Sequence, residues 1–161
     1  MTALIRIAAG VLAINELVVG AWNLFWPESF YTDFPTVHLT PPFSEHYARD
    51  FGGATLGIAV VLLAACIAPS GMLALVAGFA YSAFGVPHFL FHAAHLEHAS
   101  DAEAVFLVLG NAASAAVGLL LIVLGVLRMG RDRLLHDPAL DGPHRRGDRR
   151  RAGGGVRGAV P

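Results

Sequence analysis

Residues 104–127 read AVFLVLGNAASAAVGLLLIVLGVL, with no formal charge between Glu103 and Arg128. A helix rises about 1.5 Å per residue, so about 20 apolar residues cross a hydrocarbon core of about 30 Å. This stretch is long enough to span a bilayer. The run between Asp50 and Pro69 is equally free of charge. Working outward from these two, the pattern predicts four transmembrane helices. They cover about residues 3–26, ending at Pro27, then 46–68, closed by Ala68-Pro69-Ser70-Gly71, then 72–96 and 102–128.

Composition agrees with that reading. Of 161 residues, 55% are hydrophobic and 14% charged, and the mean hydropathy is +0.59; an ordinary soluble domain carries far more charge. The expected fold is all-α, a polytopic four-helix bundle over residues 1–128. A single cysteine, Cys66, excludes an internal disulfide scaffold and reads as packing. The first span is read as retained rather than as a signal peptide, because Glu16 interrupts its apolar run and its basic region is a lone Arg6.

Charge sets an expected orientation. The loops at 27–45 and 96–101 contain no Arg but carry Glu28, Asp33, Glu45, Glu97 and Asp101, whereas Arg128, Arg131 and Arg133 follow the fourth span. By the positive-inside rule both termini are cytoplasmic. The absence of Lys and the abundance of Ala and Gly suggest a bacterial inner membrane. Residues 129–161 hold eight Arg against four Asp and no aromatic residue, so they read as a disordered cytoplasmic tail drawn to anionic headgroups. Nucleic-acid recognition is not argued by basic residues that lack interleaved aromatics.

Ionisable side chains within a span are costly and usually face the bundle interior. On that rule Glu16, Gly20 and Asn23 mark the inner face of the first helix. His46, Asp50, Gly53 and Gly57 mark that of the second, with Glu45 and Arg49 as a neighbouring acid-first pair. Gly53 and Gly57, and likewise Gly110, Ser114 and Gly118, are expected to admit a packed helix. In the third span His88, His92 and His95 fall within roughly 60° of one another and share one face. With Asn111 they reach a common depth, which predicts one outward-facing polar cavity above Glu16. The Pro- and aromatic-rich loop (Phe30, Tyr31, Phe34, Pro35, Pro41, Pro42, Phe43) is its expected cover.

Two stretches look familiar. Arg6, Gly10, Gly20 and Pro27, with Arg49-Asp50-Phe51-Gly52-Gly53 and Leu56-Gly57, are similar to small DoxX-like four-helix membrane proteins. Phe30-Tyr31-Thr32-Asp33-Phe34-Pro35, Glu45-His46-Tyr47-Ala48-Arg49-Asp50 and the run from Pro87 to His95 resemble a group of actinobacterial integral membrane proteins without an established activity. Since some DoxX-like members are linked with quinone-dependent sulfur oxidation, the resemblance implies a quinone site.

Several functions remain open on these residues. The leading expectation is a membrane binding or accessory subunit whose cavity takes a small or lipid-like ligand or a partner helix, the other contacts being membrane lipid, a partner membrane protein or further copies of the chain. The alternative is a metal- or haem-dependent oxidoreductase. His88, His92 and His95, with Asp50 as fourth ligand or base and Arg49 orienting an anion, suit zinc or iron; His46 facing His88 or His92 suits haem. Covalent haem attachment is excluded by the lack of a CxxCH motif. A small transporter using Glu16 is the third class.

Overall fold

The computed structural model describes residues 1–39 and 42–135. Pro41 of the expected cover, and residues 136–161 of the expected tail, lie outside the described residues. Helix α1 runs Thr2–Phe25, α2 Pro27–Asp33, α3 Glu45–Ile67, α4 Gly71–Ala94 and α5 Asp101–Leu135, with a 3-10 turn at Val37–Leu39. Among the described residues there is no strand. Helices α1, α3, α4 and α5 are each long and apolar enough to cross a membrane. The protein is therefore a multi-pass, all-α membrane protein with four spans. Met1–Met129 form one compact unit. Helix α5 continues past the expected end of its span at Arg128.

Local chemistry fixes where the helices start and stop. Pro27 has no backbone N–H to continue α1 and disfavours helical geometry at the residue before it. Trp26 accordingly leaves the helix at φ −135° and ψ 62°, and Pro27 becomes the first residue of α2. Serine side chains then cap the remaining three starts. Ser44 Oγ accepts from Tyr47 N at 3.4 Å and Ser70 Oγ from Leu73 N at 3.1 Å. Before α5, Ser100 donates from its N and Oγ to Glu103 Oε2 at 2.9 and 2.7 Å, while Glu103 N donates back to Ser100 Oγ at 3.5 Å. That reciprocal pair is a capping box.

The bundle is built from two closely packed antiparallel pairs. Between α1 and α3, a methyl placed on Gly52 would lie 2.6 Å from Leu24 N and 2.7 Å from Gly20 O. Between α4 and α5, one on Gly78 would lie 2.7 Å from Ile122 N, and one on Gly125 would lie 2.7 Å from Leu75 N. Backbone meets backbone at these points, as small residues allow in membranes. Gly71 and Gly78 on α4 oppose Gly125 and Gly118 on α5 in one register. Ile5, Leu12, Leu62, Tyr81 and Leu121 belong to the buried core that these four helices share. Arg128 Nη1 donates to Thr2 Oγ1 at 2.6 Å, so the start of α1 lies beside the late turns of α5.

Two packing expectations need correction. A methyl on Gly53, Gly57 or Gly110 would meet nothing within 4 Å, so none of the three admits a neighbouring helix. The buried face of α3 is instead Gly52, Thr55, Ala59, Leu62 and Ala65.

Candidate functional site

Between the two helix pairs, in the half of the bundle that holds α2, lies a cavity of about 730 Å³. Ligand pockets typically enclose about 300–1,000 Å³. Helix α1 contributes Asn15, Glu16, Val19 and Asn23; α4 contributes Tyr81, Phe84, Gly85, His88, Phe91 and His92; α5 contributes Leu107, Gly110, Asn111 and Ser114. Phe30, Tyr31, Phe34, Thr36, Val37 and Phe43 close it from the connection between α1 and α3. Phe and Tyr rings recur around the wall, and polar groups are spaced along its depth.

The cover is held by its own contacts. Trp22 Nε1 donates to Ser29 Oγ at 3.1 Å, and the Trp22 ring meets Phe30 and Phe34 edge-on at centroid distances of 5.7 and 6.1 Å. Thr36 adopts φ 74°, a left-handed conformation that is disfavoured for a β-branched residue. The chain therefore turns there under local strain, beneath the cavity's cover.

Glu16 lies near the middle of α1 and is 1% exposed. Asn15 Nδ2 donates to its Oε1 at 3.0 Å, while Oε2 is buried without a hydrogen-bond partner. Tyr81 is buried, at 2% exposure, and lines the same cavity with Ser114. Higher up, Asn23 Nδ2 donates to Val19 O at 3.0 Å, the backbone of its own helix. His88 and His92 stand edge to face with ring centroids 4.5 Å apart, and His88 leans on Phe84 at 4.9 Å.

Of the residues expected in the cavity, Glu16, Asn23, His88, His92 and Asn111 line it together. Glu45, His46, Arg49, Asp50 and His95 do not. His46 and Asp50 pair with each other at 3.3 Å on the outside of α3, their side chains 89% and 68% exposed. Arg49 binds Glu45 Oε1 through Nε at 2.9 Å and Nη2 at 2.8 Å, and its Nη1 donates to Leu24 O. That carbonyl is one of the last of α1, left without a helical partner, so Arg49 ties the end of one helix to the start of the next. These four sit in the first turns of α3, where a polar side chain is solvated facing outward and does not report the inner face.

His95 fails for a different reason. Helix α4 ends at Ala94, and His95 is its cap at φ −130° and ψ 78°. Its ring swings back to stack on Phe91 at 4.2 Å, and its Nδ1 lies 2.8 Å from Phe91 O. The three-histidine stripe assumed a helix that continues, and among the described residues no group of three His, Cys, Asp or Glu side chains is placed to hold a metal ion. The facing of His46 on His88 or His92 expected for haem is likewise not formed.

Sequence reasoning passed over Asn15 and Phe84. Each had a signal: Asn15 adjoins the mid-span acid, and Phe84 precedes His88 by one helical turn. No family model, curated protein or solved structure matches the chain. The fold and the cavity therefore define the protein as a small multi-pass helical membrane protein, and its function is argued from the cavity.

Proposed function

We propose that this protein is a non-enzymatic membrane binding or accessory subunit that holds one small lipid-soluble molecule between its two helix pairs. The observation that carries this reading is a mainly apolar cavity of about 730 Å³, rich in Phe and Tyr, with a buried carboxyl at its base. Apolar walls with a few convergent polar groups are what a lipophilic ligand with one polar end requires. The rim supports entry from the bilayer. Asn15, Gly110 and Phe106 line the cavity and are exposed, Phe106 at 51%, so the cavity is open at this edge. These positions belong to the interior of spans, not to their ends. The resemblance of Arg49-Asp50-Phe51-Gly52-Gly53 to DoxX-like four-helix membrane proteins supports a small membrane protein of this architecture, and a quinone, whose site it implies, is a lipid-soluble ligand of the kind proposed. In this proposal the termini are cytoplasmic and the cavity lies in the outer half.

Gly110→Phe tests the reading, because a side chain there enters open space and meets no neighbouring backbone. Native mass spectrometry of protein released from nanodiscs is expected to detect a retained lipophilic small molecule on the wild type. The variant, folded but filled, should lose it. Identical spectra for the two would remove the cavity from any binding role.

A further inference from the structure

The cavity holds an acid and, among the described residues, no Lys or Arg to pair with it; the imidazoles that also line it, His88 and His92, stand against each other and Phe84, about two helical turns along α4 from Tyr81. Glu16 is 1% exposed, Asn15 satisfies one carboxyl oxygen, and the other is buried without a partner. The chain has no Lys, and among the described residues no Arg lines the cavity. Arg49 is engaged outside α3 by Glu45 and the Leu24 carbonyl. Arg6 lies in the early turns of α1, and Arg128 lies beside Thr2. A carboxylate buried in apolar surroundings is stable only when paired and hydrogen-bonded. The rings of Tyr81 and Phe84, which line the same space, present faces that attract a cation.

We propose that the ligand's polar end is a protonated amine, seated on Glu16 Oε2 with its hydrocarbon portion among the aromatic walls. This assignment rests on the cavity binding a lipophilic molecule at all. The amine supplies both the donor and the positive charge that no Lys or Arg among the described residues brings to this carboxyl, and a charge-assisted hydrogen bond is roughly twice as strong as a neutral one. An alcohol of the same length could satisfy the oxygen but not the charge.

The test uses full-length protein in phosphatidylcholine nanodiscs, with tritiated dodecylamine and tritiated 1-dodecanol as probes, each corrected for partition into empty nanodiscs. The wild type should bind the amine at least about tenfold more tightly, a difference of about 1.4 kcal/mol. Glu16→Gln keeps the shape and a hydrogen-bonding group, and should erase the preference. Equal binding of both probes to the wild type, or a preference for the alcohol, would overturn the amine assignment and needs no variant to observe. If both probes bind and Gly110→Phe abolishes both, the cavity reading survives that loss. Failure of both probes to bind, or binding indifferent to Gly110→Phe, would overturn the amine site and the cavity reading together.

Discussion

Neighbouring glycines can have opposite meanings, and Gly52 and Gly53 are such a pair. Gly52 has Leu24 N and Gly20 O where a methyl would go, whereas Gly53 has open space. Gly52→Ala must part α1 from α3, and overpacking of this kind costs about 1–3 kcal/mol. Gly53→Ala should instead be neutral or stabilise by up to about 1 kcal/mol through helix propensity. Thermal unfolding in detergent checks both, and a fall in midpoint for Gly53→Ala as large as that for Gly52→Ala would refute the packing description. At this scale the sequence was legible in the middle of the spans and not at their ends. Glu16, His88 and Asn111 could be placed because hydrocarbon offers a polar group only the interior. His46 and Asp50, one turn from the water, had two good solutions and took the outward one. Gly53 and Gly57 were misread with them, since their assignment leaned on the same stripe.

Among the elements, the spans were readable from charge-free length and from Pro27, and their boundaries follow from serine chemistry. The capping box of Ser100 and Glu103 was present as a Ser-x-x-Glu pattern ahead of an apolar run, and it predicts a measurable contribution. Ser100→Ala removes the cap acceptor, so it should destabilise the protein by about 1 kcal/mol, read as a lower unfolding midpoint. No change would mean that α5 starts without help from this cap. The end of α4 was less legible. Nothing in the run from Phe91 to His98 resembles a glycine stop, and the helix nevertheless ends at Ala94, which removes His95 from the stripe. The pairing of α1 with α3 and of α4 with α5 was also out of reach. Helical periodicity gives a face for each helix but not the helix that covers it.

For the whole molecule, four crossings put the two ends of the compact unit on one side, as the contact between Thr2 and Arg128 requires. With Arg concentrated after the fourth span, an alkaline phosphatase fused after Pro161 should be inactive and a green fluorescent protein fused there should glow. Phosphatase activity would reverse the proposed orientation and place the cavity in the cytoplasmic half. The all-α class and the four crossings were legible because a bilayer permits so few solutions for backbone hydrogen bonds. Depth alone was legible for the proposed site: four of its expected members lie on the outward face of the first turns of α3, and His95 left with the end of α4.

The joint between α3 and α4 consists of Ala68, Pro69 and Ser70, and the close glycine approaches lie within α1 with α3 or within α4 with α5. Severing the chain after Pro69 therefore leaves each backbone-to-backbone seam intact on its own fragment. Residues 1–69 and 70–161, expressed as separate polypeptides, should each insert, find one another and co-purify through a tag on either piece. Evolution could then exchange one half for a divergent copy and refit the chamber between them without redesigning either seam.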